Sequence, residues 1–203
     1  MPATFRKGLP MSTDVCRAET GLSCPEAALA WDRMVVSFLA HGADTPIHLG
    51  EVLEREPEAV LPLAAKGLFS LMLARREMIT AARASADAAR RALSRQTVPR
   101  RAGAWLAALE CWLDGSPGGA VFYLEGVLAR NPADTLTMKA SHAIRFMIGD
   151  APGMRRSVER ALVEHGADHP LTGYALGCHA FALEETGDYA SAEAAGRAGL
   201  ELA

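Results

Sequence analysis

Runs that alternate valine, isoleucine or threonine with polar residues are missing from this sequence, which argues against a β-sheet chain. Aromatic residues are scarce, at 6% of the chain, and alanine is abundant instead. Alanine is the best helix former and lets helices approach closely, so an all-α chain is expected. The four cysteines, Cys16, Cys24, Cys111 and Cys178, form no CxxC pair. A chain of 203 residues buries enough core to need no disulfide staples. Reduced thiols in a cytoplasmic protein are therefore expected. Residues 1–20 lack the apolar stretch of a secretory signal. Apolar runs such as 34–40 are far shorter than the roughly 20 residues that span a bilayer. Lysine is almost absent, at Lys7, Lys66 and Lys139 only. Arginine in its place, with the alanine content, hints at a GC-rich bacterial genome. The net charge of −3 argues against non-specific binding of nucleic acid.

Catalytic signatures are missing too. There is no GxSxG, no P-loop, no GxGxxG after a strand and no HExxH. The glycines of 115–119 sit between two helical patterns, so they read as a turn and not as a phosphate cradle. Glu184 and Glu185 have no partnered acid. The sequence thus predicts no catalytic residue, no cofactor and no metal site.

What is present is helix after helix. Residues 1–22 are polar, carry Pro2 and Pro10 and show no period, so an irregular arm is expected there. From 23 to 203 the chain reads as one helical repeat domain. Ser23 looks like an N-cap, with Pro25 in the first turn and Ala28, Trp31, Met34, Val35 and Phe38 at helical spacing. A short helix follows Asp44 and ends near Glu56. Residues 59–73 are apolar nearly all round, as in a helix buried on several sides. Residues 75–95 carry a stripe of Ile79, Ala82, Ala86, Ala89 and Leu93. Thr97 to Pro99 looks like the start of a helix that runs to Leu113, and 120–130 is its partner. Asp134 caps the next helix, and Pro152 opens one that reaches His165. The last pair covers 171–186 and 189–202. Together these make about ten helices in five antiparallel pairs.

Residues 104–134 show the unit most plainly: apolar helix, glycine-rich turn, apolar helix, then Asn131-Pro132. The layout returns with a period of roughly 34–37 residues, the range of tetratricopeptide repeats. The inner turns are Asp114-Gly115-Ser116, Gly149-Asp150 and Gly187-Asp188-Tyr189. Small residues fall where paired helices would cross: Ala180, Ala192 and Gly199 in the last unit, Ala108 and Ala120 in the middle one. One such pair cannot bury its apolar face alone, so an α-solenoid superhelix is expected.

Beyond the repeat, the chain resembles the tetratricopeptide repeat protein 38 family and its bacterial members. The residues that carry this are the Trp31-containing opening helix, Pro99-Arg100-Arg101, and Arg130-Asn131-Pro132-Ala133-Asp134 followed by Lys139-Ala140-Ser141-His142. The resemblance implies a non-enzymatic scaffold that binds a peptide or a partner protein in its concave groove. In repeats of this type first helices line the groove. That places Trp105, Trp112, Lys139, His142, Phe146, Tyr174, Phe181 and Glu184 there as candidate contacts. The Asn-Pro-x-Asp exit does not recur after Ala203, so a longer protein, or self-association through the last helix, is expected.

Two further features compete with plainer readings. His142 stands where a small residue usually marks the helix crossing. It is either a core histidine bonded across the pair or a ligand-site group. With His179, one repeat later, it is the focus of the alternative function: an enzyme or accessory subunit with a small-molecule site between repeats. Eight arginines lie at 75, 76, 83, 90, 91, 95, 100 and 101. They read first as a solvated face and second as a patch for an acidic partner.

Overall fold

The protein, seen in a computed structural model, is described over residues 12–166 and 168–202. Residues 1–11 of the expected arm, Ala167 of the 166–170 connector and Ala203 lie outside the described residues. The described residues form ten helices and no strand: α1 (Pro25–Leu39), α2 (Thr45–Arg55), α3 (Val60–Met72), α4 (Met78–Leu93), α5 (Arg100–Leu113), α6 (Pro117–Leu128), α7 (Thr135–Met147), α8 (Ala151–His165), α9 (Thr172–Glu185) and α10 (Tyr189–Leu200). Every helix packs on its successor; α3 also meets α5, and α7 also meets α9. None of these helices is long and apolar enough to cross a membrane.

Local chemistry sets the helix boundaries. Three inner turns share one device. Gly115, Gly149 and Gly187 take positive φ, at 82°, 76° and 81°. Each is followed by a capping side chain, Ser116, Asp150 or Asp188, which accepts the backbone N–H three residues on. Glycine enters the left-handed region without a Cβ clash, and the cap satisfies an orphan N–H. Because Ser116 caps and Pro117 pre-sets φ, α6 starts at Pro117, so Gly118 and Gly119 belong to its first turn rather than to the loop. Ser23 is not the cap of α1. Cys24 holds that position without a side-chain bond, and Glu56 Oε1 accepts the N–H groups of Ser23 (2.8 Å) and Cys24 (2.6 Å) instead. Thr97 likewise does not cap α5, whose N-cap is Pro99.

The core follows the apolar stripes. In α3 nine residues are buried, including Leu61, Leu63 and Leu68. Burying such a leucine contributes about 1.5–3 kcal/mol. The α4 stripe is buried at Ala82, Ala86 and Ala89, whereas its end residues Ile79 and Leu93 reach solvent. Close approaches need small residues. A Cβ on Gly67 would lie 2.3 Å from Leu109 Cδ2, so α3 and α5 touch at that glycine. A Cβ on Gly199 would lie 3.2 Å from Gly173 O, which marks the α9–α10 crossing.

The opening segment does more than rest on the first helices. Phe38 of α1 stacks on Phe69 of α3 with centroids 4.2 Å apart, and Phe69 meets the edge of Trp105 of α5 at 6.4 Å. At the α1–α2 corner His41 Nε2 lies 3.2 Å from Lys139 Nζ of α7. Asp14, ahead of α1, reaches Arg101 of α5. Residues 12–41 therefore contact α3, α5 and α7 together.

Candidate functional site

The N-terminal segment makes a tight loop around Asp14. An isolated antiparallel bridge joins Thr13 to Glu19, and Arg17 takes φ 57° between them. Asp14 Oδ1 accepts the N–H groups of Cys16 (3.0 Å) and Ala18 (3.2 Å), while Oδ2 accepts Trp31 Nε1–H at 2.9 Å and Arg101 Nη1–H at 2.5 Å. Arg101 Nη2 donates to Asp134 Oδ1 at 2.7 Å. Asp134 caps α7 by accepting Thr137 N–H at 3.1 Å, and its Oδ2 accepts the Thr137 hydroxyl at 2.6 Å. That hydroxyl accepts Trp105 Nε1–H at 2.9 Å. One buried network thus ties the segment to α1, α5 and α7.

Burial decides the electrostatics. Burial alone would favour a neutral Arg101; the carboxylates of Asp134 and Asp14 overcome it and hold the guanidinium charged. Burial pushes the Asp134 carboxyl above its usual range, with Asp14 adding to the rise and Arg101 opposing it. Burial also raises the Cys16 thiol, and the two carboxylates reinforce that. Arg101, read from sequence as part of a solvated arginine face, is only 6% exposed. Its side of α5 faces the two aspartates, which is why it differs from exposed Arg100.

Beside this network lies a cleft of about 500 Å³. Its lining comes from Arg17, Ala18 and Glu19, from Arg100, Arg101 and Ala104 of α5, from Phe122, Tyr123, Gly126 and Val127 of α6, and from Arg130, Asn131 and Asp134. Sequence spacing gave no sign of it, because residues 17–19 close onto the consecutive helices α5 and α6 from far away in the chain. Phe122 and Tyr123 are the large hydrophobic lining side chains that stand exposed at its surface.

The residues expected to share one groove do not all reach a surface. Trp105 is fully buried and hydrogen-bonded, which corrects its placement on an open groove. Trp112 and Tyr174 are partly buried against the main core. His142 is buried beside Phe181, with ring centroids 5.8 Å apart. Phe146 is 50% exposed and meets Phe181 edge-on at 5.2 Å. Lys139 is half-buried, and Glu184 is exposed. The part that α7 and α9 bring together at a surface is Phe146 with Phe181.

The histidines divide. Neither ring nitrogen of His142 has a hydrogen-bond partner. Burial, helped by Lys139 and Arg145, lowers its pKa to about 4. His179 lies instead 3.6 Å from Glu159 of α8. His165 and His169 stack at 4.0 Å; His165 Nε2 is 3.1 Å from Thr135 Oγ1, and His169 Nδ1 accepts Leu171 N–H. Among the described residues no group of three or more His, Cys, Asp or Glu side chains gathers in a metal-binding arrangement.

A second polar hub, invisible in the sequence, centres on Glu125 of α6. Its Oε1 accepts the hydroxyls of Ser141 (2.7 Å, α7) and Ser157 (2.8 Å, α8), and Arg145 and Arg160 flank it. Arg90 of α4 pairs with Asp87 and Glu110, and Arg95, just after α4, pairs with Glu58, as a solvated face would. No family model matches the sequence, and no solved structure matches the chain.

Proposed function

We propose that the protein is a non-enzymatic α-solenoid scaffold of the tetratricopeptide type, akin to the tetratricopeptide repeat protein 38 family, that binds a peptide or partner protein. The observation that carries this reading is the half-exposed Phe146 seated on Phe181 between α7 and α9. Aromatic side chains exposed beside a packed neighbour are frequent anchors for partners. Lys139 and Glu184, on the same two helices, would supply charged contacts around it. The repeated glycine-plus-cap turn and the packing of each helix on its successor support the repeat reading. The exposed Tyr189, Leu200 and Leu202 at the last helix offer a surface for self-association. The four free thiols suit a reducing compartment. The enzyme alternative draws less support, because His142 and His179 face different neighbours, Phe181 and Glu159.

The test is affinity purification of tagged protein from its own host, wild type against Phe146→Asp, with sizing and mass spectrometry. A polypeptide retained in fixed ratio by the wild type and lost from the variant, at unchanged melting temperature, is the expected result. Wild type and variant that both elute alone as monomers would refute the scaffold reading.

A further inference from the structure

We infer that the cleft between residues 17–19, α5 and α6 binds a small organic anion with an aromatic or apolar body, an aryl carboxylate or an aryl phosphate. The assignment is independent of the partner surface at Phe146, which lies on other helices.

Three observations converge on it. First, the cleft is of ligand size: about 500 Å³ falls inside the range of roughly 300–1,000 Å³ common for small-molecule sites. Second, its charges are unbalanced in a directed way. Asp14 and Asp134 are both engaged by Arg101. Among the described residues no carboxylate lies within ion-pair distance of Arg17, Arg100 or Arg130; Arg17 and Arg130 donate only to the backbone carbonyls of Asp168 and Gly126. Against these three exposed arginines the lining sets Glu19, and the buried triad holds one negative charge in excess. The cationic charge is thus on the accessible side and the anionic excess at the back. Third, Arg101 lines the same cleft, is 94% buried by its 6% exposure, and leaves its Nε–H without an acceptor. A buried guanidinium with an unmet donor is costly unless something answers it.

The apolar part of the lining sets the ligand class. Phe122 and Tyr123 stand edge to face at 5.6 Å on α6, and both are exposed. An aromatic body packs against them while arginines take the head group, a pairing that guanidinium forks make well with carboxylate and phosphate alike. A bare ion would leave the aromatic wall uncovered, and a neutral aromatic would leave the arginines unanswered. Because Arg17 belongs to the N-terminal segment and Arg100 to α5, the ligand also bridges two pieces of chain, so binding should raise the melting temperature.

The experiment uses anilinonaphthalene sulfonate as an anionic probe and phenylnaphthylamine as its uncharged counterpart, on the whole chain. Fluorescence titration is run on wild type and on the Arg100→Gln/Arg130→Gln double variant, with circular dichroism to confirm equal folding. Both side chains are exposed, so the variant should fold. The expected result is saturable binding of one anionic probe per chain, weakened about tenfold or more in the double variant, with phenylnaphthylamine binding weakly to both. Phenylacetate and phenyl phosphate are then used as competitors; whichever displaces the probe identifies the head group. Non-saturable binding, equal binding to the double variant, equal affinity for the uncharged probe, or failure of both competitors would each overturn the assignment.

Discussion

Asp14 in the N-terminal segment and Asp134 at the head of α7 share a single guanidinium, that of Arg101, and all three side chains are buried. A buried ion pair gives weak net stability against an apolar replacement, but breaking one leaves an uncompensated charge. Arg101 is therefore the residue whose loss the segment cannot absorb.

Arg101→Met should cost about 3–5 kcal/mol at neutral pH, read by urea denaturation. The variant leaves two buried carboxylates with no cation, and Asp134, whose carboxyl burial already raises, loses the Arg101 charge that opposed the rise. A raised carboxyl pKa makes the folded state hold protons that the unfolded state has released. The deficit of Arg101→Met relative to wild type should consequently shrink as pH falls toward 4. A deficit independent of pH would contradict the charge argument.

His142 predicts the opposite slope in the wild type. Its folded pKa is about 4, against an ordinary value of 6.5. The unfolded state therefore takes up the proton first, and stability contributed by the neutral ring is lost as pH falls from about 6.5 to 4. His165, also lowered to about 4 by burial and by His169, acts in the same sense. The two together should cost on the order of 2–4 kcal/mol across that window. His142→Leu removes two unpartnered ring nitrogens, so it should hold or raise stability at pH 7 and flatten the acid slope. A slope unchanged in His142→Leu would show that the ring is not buried neutral.

Glu125 carries two serine hydroxyls and lies between two arginines. Glu125→Ala should lose about 2–4 kcal/mol, since it strips the acceptor from groups on α7 and α8 at once. Glu125→Gln keeps an acceptor oxygen and should lose less. Thermal unfolding of both variants checks the order.

Most of the fold can be read from the sequence because its determinants are local. Apolar spacing, Pro at helix starts and the Gly-plus-cap turns act within a few residues, and they place the helices within a few positions. The site is different. Arg100 and Arg101 are neighbours of one type in sequence, yet one is solvated and the other buried. The arrival of Asp14 and Asp134, both distant in the chain, separates them. Trp105 has the spacing of a groove residue, and it became core because Phe69 and Thr137 close over it. Phe146 kept a surface position, half-exposed against Phe181 of α9.

The N-terminal segment is a fixed part of the helical array, held through Arg101. Native-state amide hydrogen exchange reads this directly at Cys16 and Ala18, whose N–H groups donate to Asp14 Oδ1. In the wild type both amides should be strongly protected. In Arg101→Met both should exchange far faster under conditions where the buried amides of α3 stay protected. Equal protection of Cys16 and Ala18 in the two proteins would contradict the account.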